Sequence, residues 1–169
     1  MQCPSCRHSL RTIDYEGIAI DLCDGCHGQW LDSGELRHII KAREVRFDAE
    51  SRRAAVEATK MQGVALEDID RTLICPKCDM DMTPVNFGGD SSIIIDRCHS
   101  CRGVWLEHGE LDAIQMVAES WEDNLPNDLA RHRAALRKIE VETGAEVAAT
   151  PSRFGFVNAA INGIIDAFG

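Results

Sequence analysis

Cys23-Asp24-Gly25-Cys26-His27-Gly28-Gln29-Trp30-Leu31-Asp32-Ser33-Gly34-Glu35-Leu36 is answered later in the chain by Cys98-His99-Ser100-Cys101-Arg102-Gly103-Val104-Trp105-Leu106-Glu107-His108-Gly109-Glu110-Leu111. Both read C-x-x-C-x-G-x-W-L-x-x-G-E-L. A C-P-x-C pair precedes each copy, Cys3 and Cys6, then Cys75 and Cys78. Together the four pairs use all 8 cysteines of the chain. One C-x-x-C is a weak signal. Four of them, paired twice with the same flanking residues, are a strong one.

Two four-cysteine metal centres follow as the expectation: Cys3, Cys6, Cys23 and Cys26, then Cys75, Cys78, Cys98 and Cys101. Four thiolates suit Zn²⁺, a borderline-soft ion that accepts a tetrahedral shell. Disulfides and iron–sulfur clusters are the competing uses of the same residues. Two Zn²⁺ ions are therefore the expected cofactors. A ribbon of about 40 residues buries too little surface to hold itself together, so the metal would stabilise the fold directly. Each ribbon has its own centre, so loss of one is expected to leave the other standing.

Between the knuckles of the first copy, Thr12-Ile13 and Ile18-Ala19-Ile20 are strand-like runs around the turn Asp14-Tyr15-Glu16-Gly17. The second hairpin is longer, with Asn86-Phe87-Gly88-Gly89-Asp90 as its turn and Ile93-Ile94-Ile95 as a strand. Antiparallel strands would bring each pair of knuckles around one ion. The expected fold is a small metal-stabilised α+β protein: two zinc β-ribbons, each followed by a helix, plus C-terminal helices. Its segments are ribbon one at 1–36, a long linking helix at 37–63, a connector and ribbon two at 64–111, a helical region at 112–148, and a C-terminal apolar helix at 149–169.

Residues 32–62 read as one helix, with Asp32 or Ser33 at its cap, Glu35 in its first turn and Gly63 as its stop. It carries the densest basic run of the chain, from Arg37 to Lys60, interspersed with Glu44, Asp48, Glu50 and Glu57. After Leu111 a helix continues to about Ser120, and another starts behind Pro126 with Asn127 as its cap. In the last segment, Thr150-Pro151 opens a helix. Phe154, Val157, Ile161, Ile164 and Phe168 then alternate spacings of three and four, the seam of a coiled coil or a docking helix. These five residues are the expected partner-binding set, for a protein partner or for self-association.

The remaining motif residues have structural readings. Trp30 and Trp105 would pack the following helix onto the ribbon and shield the metal, with exposed partner anchors as the alternative. Glu35 and Glu110 would interact with backbone amides at a helix start. Gly28, Gly34, Gly103 and Gly109 would permit tight turns. His8, His27, His99 and His108 fall out of register between the copies, as exposed polar residues do. A hydrolytic zinc keeps a position open for water, and a full sulfur shell does not. No catalytic residue is assigned, and the protein is not expected to be an enzyme.

The pattern C-P-x-C … C-x-x-C-x-G-x-W-L-x-x-G-E-L resembles the transcription factor IIB-type zinc-ribbon domain, in tandem over residues 3–36 and 75–111. The resemblance implies a zinc β-ribbon, with the eight cysteines as zinc ligands. In transcription factor IIB the ribbon contacts RNA polymerase, but nothing here resembles that protein's cyclin-like repeats, so the job does not carry over.

The formal charge of this 169-residue chain is −10, and eight thiolates with two Zn²⁺ make it more acidic. Nucleic-acid binding draws much of its affinity from Lys and Arg displacing counterions, so the charge disfavours it. Cys3 lies so near the first residue that a cleavable signal would take the motif with it, which points to a reducing, cytoplasmic location. The last segment lacks the basic face of an interfacial helix, so a membrane partner is not expected. The reading that remains is a non-enzymatic zinc-binding adaptor or regulator. A nucleic-acid- or RNA-polymerase-associated transcription regulator is the alternative, and a redox- or zinc-responsive switch ranks behind both.

Overall fold

The computed structural model describes residues 1–42, 45–61, 70–89 and 91–143. The chain divides into two compact units, Met1–Val117 and Ala118–Gly169.

In the first unit the strands are β1 (Leu10–Tyr15), β2 (Ile18–Cys23), β3 (Gln29–Leu31), β4 (Thr83–Asn86), β5 (Ile94–Arg97) and β6 (Val104–Leu106). The helices are α1 (Glu35–Ala42), α2 (Ala49–Met61) and α3 (Glu110–Thr143), the last of which continues past the unit boundary. The β1–β2 hairpin closes through Glu16 and Gly17, at φ 52° and 81°, the left-handed pair that a two-residue hairpin turn demands. The β4–β5 hairpin turns through Gly88 and Gly89, at φ 70° and 85°. Pro84 sits in β4, which is an outer strand, where a missing N–H costs the ladder least.

The two ribbons are joined. All six strands form one antiparallel sheet in the order β1-β2-β3-β6-β5-β4. Its centre is made by the two W-L strands of the repeat, paired as Gln29↔Leu106, Trp30↔Trp105 and Leu31↔Val104. Each copy thus meets the other about a local twofold axis that passes between the tryptophans.

The residues after the tryptophans build the same helix start twice. Glu35 N–H bonds Asp32 C=O at 3.1 Å, and Glu110 N–H bonds Glu107 C=O at 3.1 Å. The third residue of each turn is left-handed, Gly34 at φ 91° and Gly109 at φ 86°, as the spacing L-x-x-G-E-L leads one to expect. The Glu35 carboxylate folds back to accept Asp32 N–H at 2.7 Å, and Glu110 does the same to Glu107 N–H at 2.7 Å. The glutamate thus braces the turn that leads into the helix, while the Asp32 carboxylate, expected as a cap, is turned to Trp30 and Lys77. Ile39 and Ile114, one turn further on, are both fully buried.

Two helical expectations change. The segment expected as one helix over 32–62 contains two, because residues 45–48 are not helical. Asp48 restarts the helix: its carboxylate accepts the N–H groups of Glu50 and Ser51, both at 2.9 Å. Conversely, the break expected at Pro126 is absent, and α3 runs through it. A proline removes one helical hydrogen bond, and α3 contains no glycine and no other proline to widen the gap. In the second unit, the exposed pair Arg131–Asp128 spans 3.2 Å. The expected C-terminal helix at 149–169, with Phe154, Val157, Ile161, Ile164 and Phe168, lies outside the described residues.

Candidate metal centres

Four knuckles carry the sulfurs, and all four share one backbone pattern. The N–H of the first cysteine bonds the carbonyl five residues on: Cys3 to His8, Cys23 to Gly28, Cys75 to Met80 and Cys98 to Gly103, between 2.7 and 2.9 Å. The carbonyl of that cysteine accepts the N–H four residues on, from Arg7, His27, Asp79 and Arg102. Those four residues are left-handed, at φ 66°, 60°, 55° and 62°. A non-glycine residue there bears a strain of order 1 kcal/mol, which the surrounding turn must hold.

The sheet brings the knuckles together in two groups, Cys3, Cys6, Cys23 and Cys26, and Cys75, Cys78, Cys98 and Cys101. Within each group the sulfurs lie within 4.8 Å of one another, and no cysteine is in a disulfide. Sulfurs at about 2.3 Å from a tetrahedral ion are about 3.8 Å apart. The distances fit: 3.6 Å for Cys3–Cys26 and 3.3 Å for Cys6–Cys23. In the second group they are 3.7 Å for Cys75–Cys78, 3.7 Å for Cys75–Cys101 and 3.9 Å for Cys78–Cys98. Each group can hold one zinc ion. Among the described residues, no histidine or carboxylate joins either group.

The proton balance also calls for a cation. Burial pushes Cys3 and Cys75 up to about 12. Burial raises Cys26 and Cys101 as well. Cys6 is lowered to about 6, first by the His8 backbone amide and then by the Cys23 sulfur. Burial raises Cys98 too, but the Cys101 amide, the Cys75 thiol and the Ser100 amide outweigh it and bring it to about 7. Four crowded sulfurs cannot all ionise without a positive charge between them. Zn²⁺ supplies that charge, and binding it releases protons.

The histidines stay outside. His8 Nδ1 is 3.3 Å from Cys6 Sγ, so it touches a ligand without belonging to the set. Its counterpart in the second copy is the exposed Met80. His99 Nε2 is 3.1 Å from Thr83 Oγ1. The His27 and His108 rings, one from each copy, are 5.5 Å apart on the surface.

A match to a known family follows the same two stretches. The family model described as "Transcription factor zinc-finger", the transcription factor IIB-type zinc ribbon, matches residues 2–42 and again 74–115. The chain carries two tandem zinc ribbons of this type. No curated protein and no solved structure matches the chain.

The ribbons' tryptophans and glycines have roles that the motif alone did not disclose. Trp30 and Trp105 are buried, at 1% and 0% exposure, but each packs across the axis rather than only within its own ribbon. A Cβ on Gly103 would lie 2.2 Å from Trp30 Cζ2, and one on Gly28 would lie 2.2 Å from Trp105 Cζ2. Gly28 and Gly103 are thus not turn glycines. They are floors on which the other ribbon's indole lies. The signal was present as G-x-W: residues two apart on a strand share a face, and an antiparallel partner sets one copy's tryptophan diagonal to the other's glycine.

Two polar contacts cross the joint, and a third braces the second ribbon behind it. Lys77, between two ligands of the second ribbon, reaches Asp32 of the first at 2.7 Å, and Asp32 also accepts the Trp30 indole N–H at 3.0 Å. Arg71 pairs with the fully buried Asp96 at 2.9 Å and with Glu107. Tyr15 at the end of β1 donates its hydroxyl to Gln115 of α3 at 3.0 Å. None of these roles is legible in the sequence, because each joins residues far apart along the chain. Among the described residues, no helix is long and apolar enough to cross a membrane.

Proposed function

We propose that this zinc-binding protein is a non-enzymatic adaptor or regulator, in which the fused ribbons are a rigid platform and a protein partner is engaged elsewhere on the chain. The closed four-sulfur shells carry this reading. Each candidate zinc has four sulfurs around it and thus no position for a substrate or a reactive water. Phe154, Val157, Ile161, Ile164 and Phe168 are the proposed docking or self-association seam. The net charge of −10 favours a protein partner over nucleic acid, and a cytoplasmic location suits eight free thiols.

Ile161→Asp, compared with the intact chain by analytical ultracentrifugation and by affinity capture, tests the seam. Loss of the assembly or of a specific captured protein, with two zincs per chain retained and melting unchanged, is the expected result. A lowered melting temperature with unchanged association would mean that the seam covers the protein's own core, and the docking role would fall.

The family description itself favours a second reading, association with the transcription machinery. The basic residues Arg37 to Lys60 are its support on the chain. Electrophoretic shifts across a salt series decide it, since phosphate contacts give a steep salt dependence. A salt-insensitive or absent shift removes direct nucleic-acid binding.

A further inference from the structure

The two centres share more than a chain. Gly103 provides the carbonyl that closes the Cys98 knuckle, at 2.9 Å, and the ring lying on Gly103 is Trp30 of the other ribbon. Gly28 closes the Cys23 knuckle at 2.9 Å, and the ring lying on it is Trp105. Each tryptophan follows a metal ligand of its own ribbon on β3 or β6, and those two strands are hydrogen-bonded to each other. Cys3, Cys23, Cys75 and Cys98 fall with both tryptophans and Met82 in one buried cluster. Lys77 adds a charged tie from the second centre's first knuckle to Asp32, the acceptor of the Trp30 indole N–H.

A knuckle that lost its metal would lose its turn. The glycine floor under the opposite tryptophan would then move, and with it the strand leading out of the other centre. We propose that the two zinc ions bind cooperatively, each occupied centre raising the affinity of the other through the crossed Trp30–Gly103 and Trp105–Gly28 contacts. By linkage the effect is the same in both directions, and couplings of this kind run to about 5–150-fold. A ribbon whose neighbour has lost its metal would then still stand, as expected, but hold its own zinc less tightly.

Native mass spectrometry of the reduced full chain, stripped of metal and equilibrated with one zinc per chain, reads the coupling without any variant. Independent centres leave half or more of the chains with a single zinc. Cooperative centres leave less than half, with empty and doubly loaded chains enriched. A singly loaded fraction of half or more that the two centres' separately measured affinities account for without coupling overturns the proposal. A thermodynamic cycle gives the magnitude. Zinc affinities of Cys6→Ser and Cys78→Ser, each retaining one centre, are measured by competition with a chromophoric chelator. Their product should fall short of the intact protein's overall two-zinc constant by about 5–150-fold. Equality of the two overturns the proposal as well.

Discussion

At Glu110 a single carboxyl joins helix capping to pH. Its burial raises it to about 7, against the stabilising backbone bond at Glu107 and with the added repulsion of the Glu107 charge. The unfolded carboxyl titrates near 4.5, so between that value and 7 the native state keeps a proton that the unfolded state has lost. Native stability from this group is therefore full below pH 4.5 and declines as pH rises, until above pH 7 it carries the whole cost of a buried charge. That cost is at most about 3 kcal/mol. Glu110→Gln keeps an oxygen for the Glu107 amide and removes the charge. Its melting temperature should exceed that of the parent at pH 8 and approach it at pH 5, in thermal scans of the zinc-loaded protein. Gly103→Ala makes a different demand. Its methyl would enter the Trp30 ring, and overpacking of a rigid neighbour costs about 1–3 kcal/mol. Trp30→Phe, with a shorter ring, should recover part of the loss in the double variant, a non-additivity that chemical denaturation measures directly.

The strands and helices divide their contacts by burial. Lys77–Asp32 and Arg71–Asp96 are both ion pairs within the sheet unit, but their surroundings differ. The Lys77 and Asp32 side chains are 41% and 43% exposed, and a pair so open to solvent contributes below about 1 kcal/mol. Asp96 on β5 is 0% exposed. Withdrawing a charged partner from such a carboxylate costs about 3–5 kcal/mol. Urea titrations of Lys77→Ala and Arg71→Ala should therefore separate clearly, with Arg71→Ala several-fold more destabilised. High salt should narrow the effect of Lys77→Ala and leave that of Arg71→Ala almost intact.

Across the whole molecule, what could be read from the chain and what could not divides along the range of the interaction. The eight cysteines were legible because a knuckle is local: C-x-x-C needs only its own turn to aim two sulfurs. The hairpins were legible for the same reason, Glu16-Gly17 and Gly88-Gly89 being turn chemistry that neighbours cannot easily override. Asp48 looks in the sequence like one more acidic residue of a basic helix, and only its carboxylate on the Glu50 and Ser51 amides marks it as a helix start. Pro126 suggests a break that α3 does not make, because a breaker acts on one bond while helix propensity is summed over many residues. The junction of β3 with β6 was hidden most deeply. It rests on contacts between residues far apart in sequence, and only the G-x-W spacing hinted that each ribbon had a bare strip and a ring to cover one. Metal removal should expose this dependence. Chelation of zinc at neutral pH is expected to abolish the slow amide exchange of β2, β3, β5 and β6 together. Acid should act likewise, since zinc must compete with protons for thiols that burial holds at about 12. Colorimetric zinc release should rise as pH falls from 7 to 5.

The reciprocal seating of indole on glycine also bears on how the duplicated gene can change. The hairpins have already diverged in length, and His8 of one copy stands where the other has Met80. A drift at Gly28 is judged by Trp105, and a drift at Gly103 by Trp30. A side chain gained at either glycine is therefore felt first in the opposite half. Two copies otherwise free to differ are held to one another's shape at these two positions.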